Sequence, residues 1–560
     1  MTAAIYYHPE AYTTGGPKLM GRNAAGESFL RGFLSHSKAT EFWAQVQKPE
    51  HAQHFVQTVQ TFGRNEPVKA VDKNSLAALS QAGVVYYPGP GIGEHAWHRA
   101  AVGGVSGHGA WSLCGITHTT SSAGAMDALA NLITAPVQPW DAVICTSTAV
   151  KNNVERLLQA QVDHLKARLG ITKLVLPQLP VIPLGIHTQD FAFSVAQKAA
   201  ARAALGVDEH TLVVLFMGRL SFHAKAHPLA MYQALEQAAQ NTGKQVVLVE
   251  CGWHANEFIE KAYTDAARLA CPSVRVVTLD GRKAEDRQTA WAGADLFCSL
   301  SDNIQETFGI APIEAMAAGL PVVVSDWDGY KDTVRDGVDG FRIPTTMPQA
   351  GLGGDLALRH ALEVDTYDMY CGHTCSLVAV DVQATAAAFE RLFNAPELRQ
   401  QMGLAGRQRA IEVYDWKPII GQYEALWGQL SEIRTSQAKG LNALPHPWPA
   451  RMDPFHAFAS YPTRSLTPQT VLGLVDTDLN TAITRTQAYR QLAMVDFAKV
   501  VLPSEAELRT VLTAAQLPGT AVSLVQGVAK ERLPFVFRSL AWLVKLGVLK
   551  VMNTGKVVAQ

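Results

Sequence analysis

The most constraining stretch of this sequence covers residues 299–345, where a loop, a short helix and an apolar strand follow one another. Residues 311–318 carry helix-forming side chains throughout, and Gly319 is placed to end that helix. Pro312 suits the first helical turn, where a missing N–H costs nothing. The β-branched run at 322–324 predicts a buried strand. The stretch therefore predicts one loop–helix–strand unit of an α/β sheet.

Two carboxylates flank the start of this predicted helix. Glu306 precedes the helix and Glu314 lies inside it, eight positions on, which is roughly 12 Å along the axis at about 1.5 Å per residue. Free N–H groups and the positive dipole end favour a phosphate at a helix N-terminus, so we expect one near Phe308, Gly309 and Ile310. The spacing suits acids at the two ends of a nucleotide-sugar. A solvated helix residue and an ordinary loop acid are the alternative.

Composition excludes several classes of protein. The chain has 560 residues, 17% of them charged, and a formal net charge of −1. This length predicts two to four domains, and the charge gives no reason to expect nucleic acid or more than peripheral membrane contact. Seven cysteines without regular spacing suggest reduced thiols. With no signal-peptide pattern and no apolar run near 18 residues, we expect a cytoplasmic protein.

The string ETFGIAPIEAMAAGLPVVVSDWDG, residues 306–329, resembles the donor-binding signature of retaining glycosyltransferases of the GT-B fold, family 4. The resemblance implies an α/β fold of two doubly wound Rossmann-like domains that face each other across a cleft. It also implies a nucleoside-diphosphate sugar as donor, with Glu306 on the sugar and Glu314 on the ribose. Expected domains are an acceptor-side domain, a donor-binding domain, a linker and a helical extension, at 1–185, 186–430, 431–475 and 476–560.

In the first half, an apolar strand at 3–7 breaks into a loop containing Gly15 and Gly16. In the family this loop faces the donor diphosphate, although a plain turn is the alternative. Arg22 could meet an anionic acceptor or be a solvated surface residue. The run PGPGIGEH at 88–95 lacks the dinucleotide-binding pattern, so we interpret it as a loop.

His118 follows a strand-like run at 111–117. The carboxyl ends of strands are where open α/β sheets bind ligands. In the resembling family a histidine here lies beside the transferred sugar. The alternative is a histidine that only satisfies loop hydrogen bonds.

The motif PLGIHTQDF at 183–191 resembles the family's interdomain linker, with His187 in place of the usual Asp or Asn. Beyond it, an apolar strand at 211–217 precedes Arg219, and Lys225 is predicted to start the next helix. Such a cationic pair can clamp a diphosphate and stabilise the charge of the departing nucleotide. Two surface cations are the alternative.

Metal chemistry is not expected. The cationic pair with the helix dipole can replace a metal at the diphosphate. Cys371, His373 and Cys375 resemble part of a zinc site, but no second cluster accompanies them, which favours a structural role. We therefore predict catalysis without a metal or other cofactor.

The C-terminal part is less informative. Residues 434–470 are rich in Pro and polar side chains and predict a linker. Helical patterns follow at 477–496, 504–515, 520–529 and 533–546, and residues 548–552 could pair with 557–558. This arrangement resembles a winged helix, for which we expect docking of a partner protein or a second subunit rather than nucleic acid.

The sequence thus predicts a retaining, metal-independent glycosyltransferase that uses a nucleotide-sugar, with UDP favoured by analogy, and an unknown glycan, lipid or protein acceptor. A non-catalytic sugar-nucleotide sensor or scaffold acting through the C-terminal extension is the main alternative. A phosphorylase or epimerase on the same plan is the third. The predicted site residues are His118, Arg219, Lys225 and Glu306 for catalysis, and Gly15, Gly16, Thr307, Phe308, Gly309, Ile310 and Glu314 for donor binding.

Overall fold

The computed structural model of the chain describes residues 2–13, 21–102, 104–441 and 447–552. The chain divides into two compact units, Met1–Trp448 and Pro449–Gln560. The boundary falls inside the segment predicted as a linker. The first unit contains both sheets that the sequence predicted.

Six parallel strands form the first sheet, in the order β3-β2-β1-β4-β5-β6. The strands are β1 (Ala4–Tyr7), β2 (Phe42–Val46), β3 (Val68–Val71), β4 (Val84–Tyr86), β5 (Ser112–Ile116) and β6 (Ala142–Ile144). The α-helices of this part are Gly21–His36, Pro49–Thr61, Leu79–Ala82, Ile92–Val102, Ala123–Asn131 and Thr148–Leu169.

Six parallel strands also form the second sheet, in the order β12-β11-β10-β7-β8-β9. They are β7 (Leu212–Met217), β8 (Val246–Gly252), β9 (Arg275–Asp280), β10 (Leu296–Ser299), β11 (Val322–Ser325) and β12 (Gly340–Ile343). The α-helices between them are Leu229–Thr242, Glu257–Ala270, Ala284–Gly293, Ile310–Ala317 and Tyr330–Thr333, and Val195–Ala204 precedes β7.

The two sheets share one doubly wound topology. In each, the strand that comes first in sequence lies beside the fourth, so the order reverses between β1 and β4 and again between β7 and β10. A crevice at the carboxyl ends of the strands forms where the order reverses, and ligands of open α/β sheets bind there. The predicted fold class, two Rossmann-like domains in the GT-B arrangement, is confirmed.

The last long helix of the first unit, Trp416–Gln437, packs against the helix Gly21–His36 beside the first sheet. The Trp416 indole donates a hydrogen bond to the Ser28 hydroxyl at 2.8 Å. Glu424 accepts one from the Ser37 hydroxyl at 2.7 Å. The end of the second half of this unit is therefore anchored on the first half.

A helical hairpin interrupts the chain after β12. Its base is a two-stranded antiparallel ribbon of β13 (Thr345–Thr346) and β14 (Ala379–Val380). Between these strands lie the helices Gly354–Ala361 and Tyr367–Cys375. The helices Val382–Asn394 and Pro396–Arg409 then lead to the last long helix.

The C-terminal unit contains a small antiparallel sheet in the order β16-β15-β17. The strands are β15 (Val471–Leu474), β16 (Gly519–Thr520) and β17 (Leu549–Val551), and the α-helices are Pro454–Ala457, Leu479–Arg490, Ala493–Asp496, Glu505–Ala514, Ala521–Leu524 and Leu533–Lys545. β17 pairs with β15, and the predicted pairing of 548–552 with 557–558 stays a prediction. Residues 557–558 lie outside the described residues. The predicted helix at 520–529 is shorter than expected, since Ala521–Leu524 is its only helical part.

Within the part of the chain that the structure describes, no helix combines the length and the apolar character needed to cross a membrane.

Candidate donor site at the second sheet

The reversal point of the second sheet lies between the loop after β7 and the loop after β10. Arg219 and Lys225 lie in the first of these loops, and Glu306 lies in the second. The prediction that Lys225 starts a helix was wrong, because the helix begins at Leu229. The Asp302 carboxylate accepts a hydrogen bond from the His227 N–H at 3.3 Å and fixes one loop to the other.

Lys225 and Glu306 form an ion pair across the crevice. The Lys225 Nζ lies 2.9 Å from Glu306 Oε2, with the Glu306 side chain 12% exposed and the Lys225 side chain 38% exposed. Burial raises the pKa of Glu306, but the charge and hydrogen bond of Lys225 outweigh it, helped by the N–H groups of Thr307 and Phe308. The pKa of Glu306 therefore lies below its ordinary value, and the group is a carboxylate at neutral pH.

Arg219 lies beside the same pair without contacting Glu306 directly. Its Nη2 donates to the Ala224 carbonyl at 3.2 Å and to the Gln305 side-chain oxygen at 3.3 Å. Gln305 immediately precedes Glu306, so the two predicted cations are held by neighbouring residues of one loop. No role was assigned to Gln305 from the sequence.

Gly309 occupies the N-cap of the helix Ile310–Ala317 with φ = +80°. A Cβ at this position would meet the Tyr330 ring at 1.9 Å, so glycine is required both by backbone conformation and by space. The Tyr330 hydroxyl hydrogen-bonds the Ser299 hydroxyl at 2.9 Å, which fixes the ring beneath the helix start. Phe308 is 1% exposed, so its side chain belongs to the core, while Ile310 is half-buried.

Glu314 lies inside this helix and is half-buried. Burial raises its pKa to about 7, and the Arg287 charge opposes that shift. Arg287, in the helix Ala284–Gly293, donates a hydrogen bond at 2.9 Å to the Gly281 carbonyl in the loop after β9. Glu314 therefore interacts electrostatically with a cation next to the loop after β9, whereas Glu306 pairs with Lys225.

The carboxyl edge of the first sheet meets this loop. The Thr307 hydroxyl donates to the His118 carbonyl at 3.1 Å, so the structure brings His118 next to the loop that carries Glu306. The Thr146 hydroxyl donates a long hydrogen bond of 3.5 Å to the Thr307 carbonyl. His118 and Thr307 thus belong to the same cleft as the predicted cationic pair.

Asp328 is an acid of the cleft that the sequence did not single out. It adopts φ = +43°, a conformation that few residues other than glycine take. Its Oδ1 accepts a hydrogen bond from the Ser147 hydroxyl at 3.3 Å. Burial, and then the charge of Glu306, raise its pKa well above the ordinary value. Asp328 lies inside the stretch 306–329 that resembles the donor-binding signature, but no role was assigned to it from the sequence.

Asp302 and Glu250 are two further buried acids near the crevice. Burial raises the pKa of each to about 7. Glu250 accepts a hydrogen bond of 2.5 Å from the Tyr232 hydroxyl and lines a small cavity with His227, Met231 and Tyr263. This cavity lies on the other face of the sheet from the helix that carries Glu314, because Phe216 and Leu215 face opposite cores.

The remaining residues that were singled out from the sequence lie outside the described residues or in other helices. Gly15 and Gly16 lie outside the described residues. The backbone of Arg22 lies in the helix Gly21–His36. Cys371 and Cys375 are buried free thiols in the helical hairpin. No group of three or more His, Cys, Asp or Glu side chains is placed to hold a metal among the residues that the structure describes.

The arrangement at the second sheet combines two cations, a helix N-terminus and a carboxylate within one crevice. Cations and free N–H groups stabilise phosphate oxygens, and an ionised carboxylate accepts hydrogen bonds from hydroxyl groups. The site can therefore hold a molecule that carries phosphates in its middle and hydroxyl groups at its end.

Comparison with known proteins finds sequence matches over part of this chain. Residues 197–351 match the family model described as "Glycosyl transferases group 1". A D-inositol 3-phosphate glycosyltransferase of Corynebacterium diphtheriae is 25% identical over 238 residues, which cover 42% of this chain and 47% of the relative. The corresponding enzyme of Mycolicibacterium vanbaalenii is 25% identical over 351 residues, covering 57% and 70%. The chain thus spans about half the length of the first of these relatives.

Among solved structures, Anabaena HepE in complex with UDP matches with a TM-score of 0.49 and 16% sequence identity. The match covers 77% of this chain and all of HepE.

Proposed function

We propose that this chain, whose residues 197–351 belong to the glycosyl transferases group 1 family, transfers a sugar from a nucleoside diphosphate to an acceptor. The observation that carries the proposal is the ion pair between Lys225 and Glu306 at the reversal point of the second sheet. The pair joins a group suited to phosphate with a group suited to sugar hydroxyls.

In the proposed mechanism, Lys225 and Arg219 neutralise the charge that develops on the departing diphosphate. The contact with Glu306 at 2.9 Å holds the ammonium in the crevice before the donor binds. A preorganised cation costs no rearrangement at the moment of reaction, which is why such contacts are effective in catalysis. The N–H groups at the start of the helix Ile310–Ala317 supply additional positive potential.

Glu306 holds hydroxyl groups of the donor sugar in this proposal, because its lowered pKa keeps it ionised and able to accept hydrogen bonds. Glu314 holds the ribose hydroxyls from within the helix. Its pKa of about 7 leaves it partly protonated at neutral pH, so it can both donate and accept hydrogen bonds to a diol. His118, linked through its carbonyl to Thr307, lines the reacting centre.

Retention of anomeric configuration and independence from metal belong to the proposal as well. The cationic pair can supply the positive charge that a metal would bring to the diphosphate. Transfer with retention would then occur on the face from which the nucleotide leaves. A UDP-sugar as donor, a hydroxyl-bearing acceptor and a cytoplasmic location complete the proposed function.

A panel of nucleotide-sugars tests the proposal on the full-length protein. Thermal shift identifies the donor that binds, and release of the nucleoside diphosphate measures slow hydrolysis with EDTA present. We expect Glu306→Gln to abolish turnover, while Glu257→Gln, which changes an exposed acid of the same domain, keeps it. Donor binding without turnover in the unmodified protein would instead favour the sensor alternative.

A further inference from the structure

The helical hairpin between β13 and β14 lies against both halves of the first unit. On the donor side, the Cys375 thiol contacts the Phe222 carbonyl at 3.8 Å, and a Cβ at Gly372 would meet the His223 Cβ at 2.9 Å. Phe222 and His223 lie in the loop between Arg219 and Lys225. The matched family segment ends at residue 351, before either helix of the hairpin begins.

On the other side, the hairpin contacts the loop that follows His118. The Tyr367 hydroxyl lies 3.2 Å from the Thr119 hydroxyl and 3.1 Å from the Ser121 hydroxyl. Thr119 and Ser121 are themselves 3.2 Å apart, so the three oxygens form a triangle. Two members of this hydroxyl triangle, Thr119 and Ser121, closely follow His118 in sequence, so the triangle borders the proposed reacting centre.

The hydroxyl triangle has more hydrogen-bond acceptors than donors. Each hydroxyl carries one proton and two lone pairs, so three mutual hydrogen bonds use all three protons and only half of the lone pairs. The Ser121 N–H occupies one further lone pair on Thr119 at 3.4 Å. The Cys371 thiol, which also interacts with Tyr367 and Ser121, is only a weak donor. Lone pairs therefore remain on the triangle.

This balance favours one class of ligand. A hydroxyl group of a sugar or polyol can donate its proton to a free lone pair, whereas a phosphate dianion has only lone pairs to offer. The hydrogen-bond contacts described above join the triangle only to neutral groups, and none of them brings a cation that would bind a phosphate. Ser121 is buried, but Thr119 and Tyr367 are half-buried, so two of the three hydroxyl-bearing side chains are partly accessible to solvent.

From this geometry we infer that the hydroxyl triangle of Thr119, Ser121 and Tyr367 is an acceptor subsite for a neutral sugar or polyol. The inference rests on the proposed function and narrows it. Tyr367, contributed by the helical hairpin, is a specificity-determining residue that touches the acceptor. The hairpin thereby adds a wall to the acceptor side of the cleft from a segment outside the matched family region.

The test uses the full-length protein and measures UDP release from UDP-glucose with acceptors added singly. Glucose, fructose, myo-inositol and glycerol are the neutral compounds, and glucose 6-phosphate and glycerol 3-phosphate are the anionic ones. We expect at least one neutral compound to accelerate UDP release above the rate with water alone. Stimulation by the phosphorylated compounds alone, or by no neutral compound, would overturn the inference.

Tyr367→Phe removes one hydroxyl of the triangle, and Tyr370→Phe is its matched control. Tyr370 lies on the same helix, with its ring stacked on His360 at 4.2 Å between centroids. For the stimulating acceptor we expect Tyr367→Phe to raise KM about tenfold, with a much smaller effect on kcat, and Tyr370→Phe to match the unmodified protein. Equal KM values in the two variants would contradict the inference.

Excision of the hairpin gives an independent measurement. Thr346 and Ala379 are the last paired residues of the ribbon, so an Asn-Gly turn can replace residues 347–378. We expect the excised protein to bind UDP in thermal shift and to lose stimulation by the neutral acceptor. Undiminished stimulation would contradict the inference. Absence of turnover with every nucleotide-sugar of the panel in the unmodified protein would instead contradict the proposed function, which separates the two failures.

Discussion

The two sheets of the first unit share one topology, yet their carboxyl edges present different chemistry. The edge of the second sheet carries Arg219, Lys225 and Glu306. The edge of the first sheet carries aromatic rings and neutral polar groups, including Tyr6 and Tyr87, whose ring centroids are 5.2 Å apart. A shared fold therefore specifies where ligands bind, while the loop residues specify which ligands bind.

The two halves of the first unit also differ in where their buried or partly buried ion pairs lie. In the first sheet, Arg99 and Asp141 are both 0% exposed and form a bidentate pair at 2.7 and 2.8 Å, distant from the carboxyl edge. In the second sheet, the pair of Lys225 and Glu306 lies at the crevice and remains partly exposed. The comparison predicts a structural role for the first pair and a functional role for the second.

The largest effect on stability is expected for Asp141→Asn. This change leaves the Arg99 guanidinium buried without a counter-charge, and breaking such a pair costs on the order of 3–5 kcal/mol. The melting temperature of the full chain should fall strongly, while UDP release per folded molecule at low temperature stays near that of the unmodified protein. Asp163→Asn, at an exposed position on a helix of the same half, is the control and should change neither quantity. A normal melting temperature for Asp141→Asn would contradict the structural role.

For Lys225→Met we expect the reverse: UDP release should fall strongly, while the melting temperature should change less than it does for Asp141→Asn. Loss of one preorganised contact to developing charge typically costs about 10²–10³ in rate, so turnover of the donor should fall by roughly that factor. Lys261→Met is the matched control, because Lys261 also pairs with a carboxylate, at 2.7 Å, but on an exposed helix surface. UDP release by the two variants at saturating donor measures the difference. Equal rates would remove Lys225 from the site.

The sequence predicted the second sheet better than the first. The apolar runs predicted at 211–217 and 322–324 match β7 (Leu212–Met217) and β11 (Val322–Ser325) within one residue, because long apolar runs mark strands that are buried on both faces. In the first sheet, β2 and β3 were missed. Strand β3 is a four-residue edge strand with Lys69 and Ala70 exposed, and short edge strands carry a weak apolar signal.

The candidate site was predictable only where residues are close in sequence to a recognisable motif. Glu306, Gly309 and Glu314 belong to one contiguous stretch, and its helix and strand lie where the sequence placed them. Asp328 and Tyr367 join the cleft through tertiary packing. Their partners Ser147 and Ser121 lie more than a hundred residues away, and no local pattern connects such pairs.

The two ends of the helix Ile310–Ala317 offer a smaller and more local test of the donor edge. Gly309 and Gly319 both have φ = +80°, but a Cβ would meet the Tyr330 ring at 1.9 Å at Gly309 and open space at Gly319. Alanine at either position strains the backbone by about 1 kcal/mol. Only Gly309→Ala must also displace Tyr330, so we expect it to lower the melting temperature more and to weaken UDP binding in thermal shift. Similar melting temperatures and UDP binding for the two variants would show that the Tyr330 ring moves aside at little cost in free energy.

The smallest expected effect is on the pH dependence of stability. This dependence arises from the buried acids Glu250 and Asp302. Burial raises the pKa of Glu250 in the folded state to about 7, above its ordinary value of 4.5. Between these two values the folded chain binds more protons at Glu250 than the unfolded chain does, so stability falls as the pH rises through this window.

Glu250→Gln keeps the acceptor for the Tyr232 hydroxyl and removes the titration. Its melting temperature should therefore fall less between pH 5 and pH 7 than that of the unmodified protein, by an amount corresponding to about 1.4 kcal/mol per unit of pKa difference at most. Asp302, whose pKa burial also raises to about 7, leaves some dependence in this variant, and Glu250→Gln combined with Asp302→Asn should reduce it further. Glu257→Gln, at an exposed position, should leave the slope unchanged. Parallel curves for Glu250→Gln and the unmodified protein would mean that Glu250 stays ionised in the fold, which would require a cation near it that the described residues do not supply.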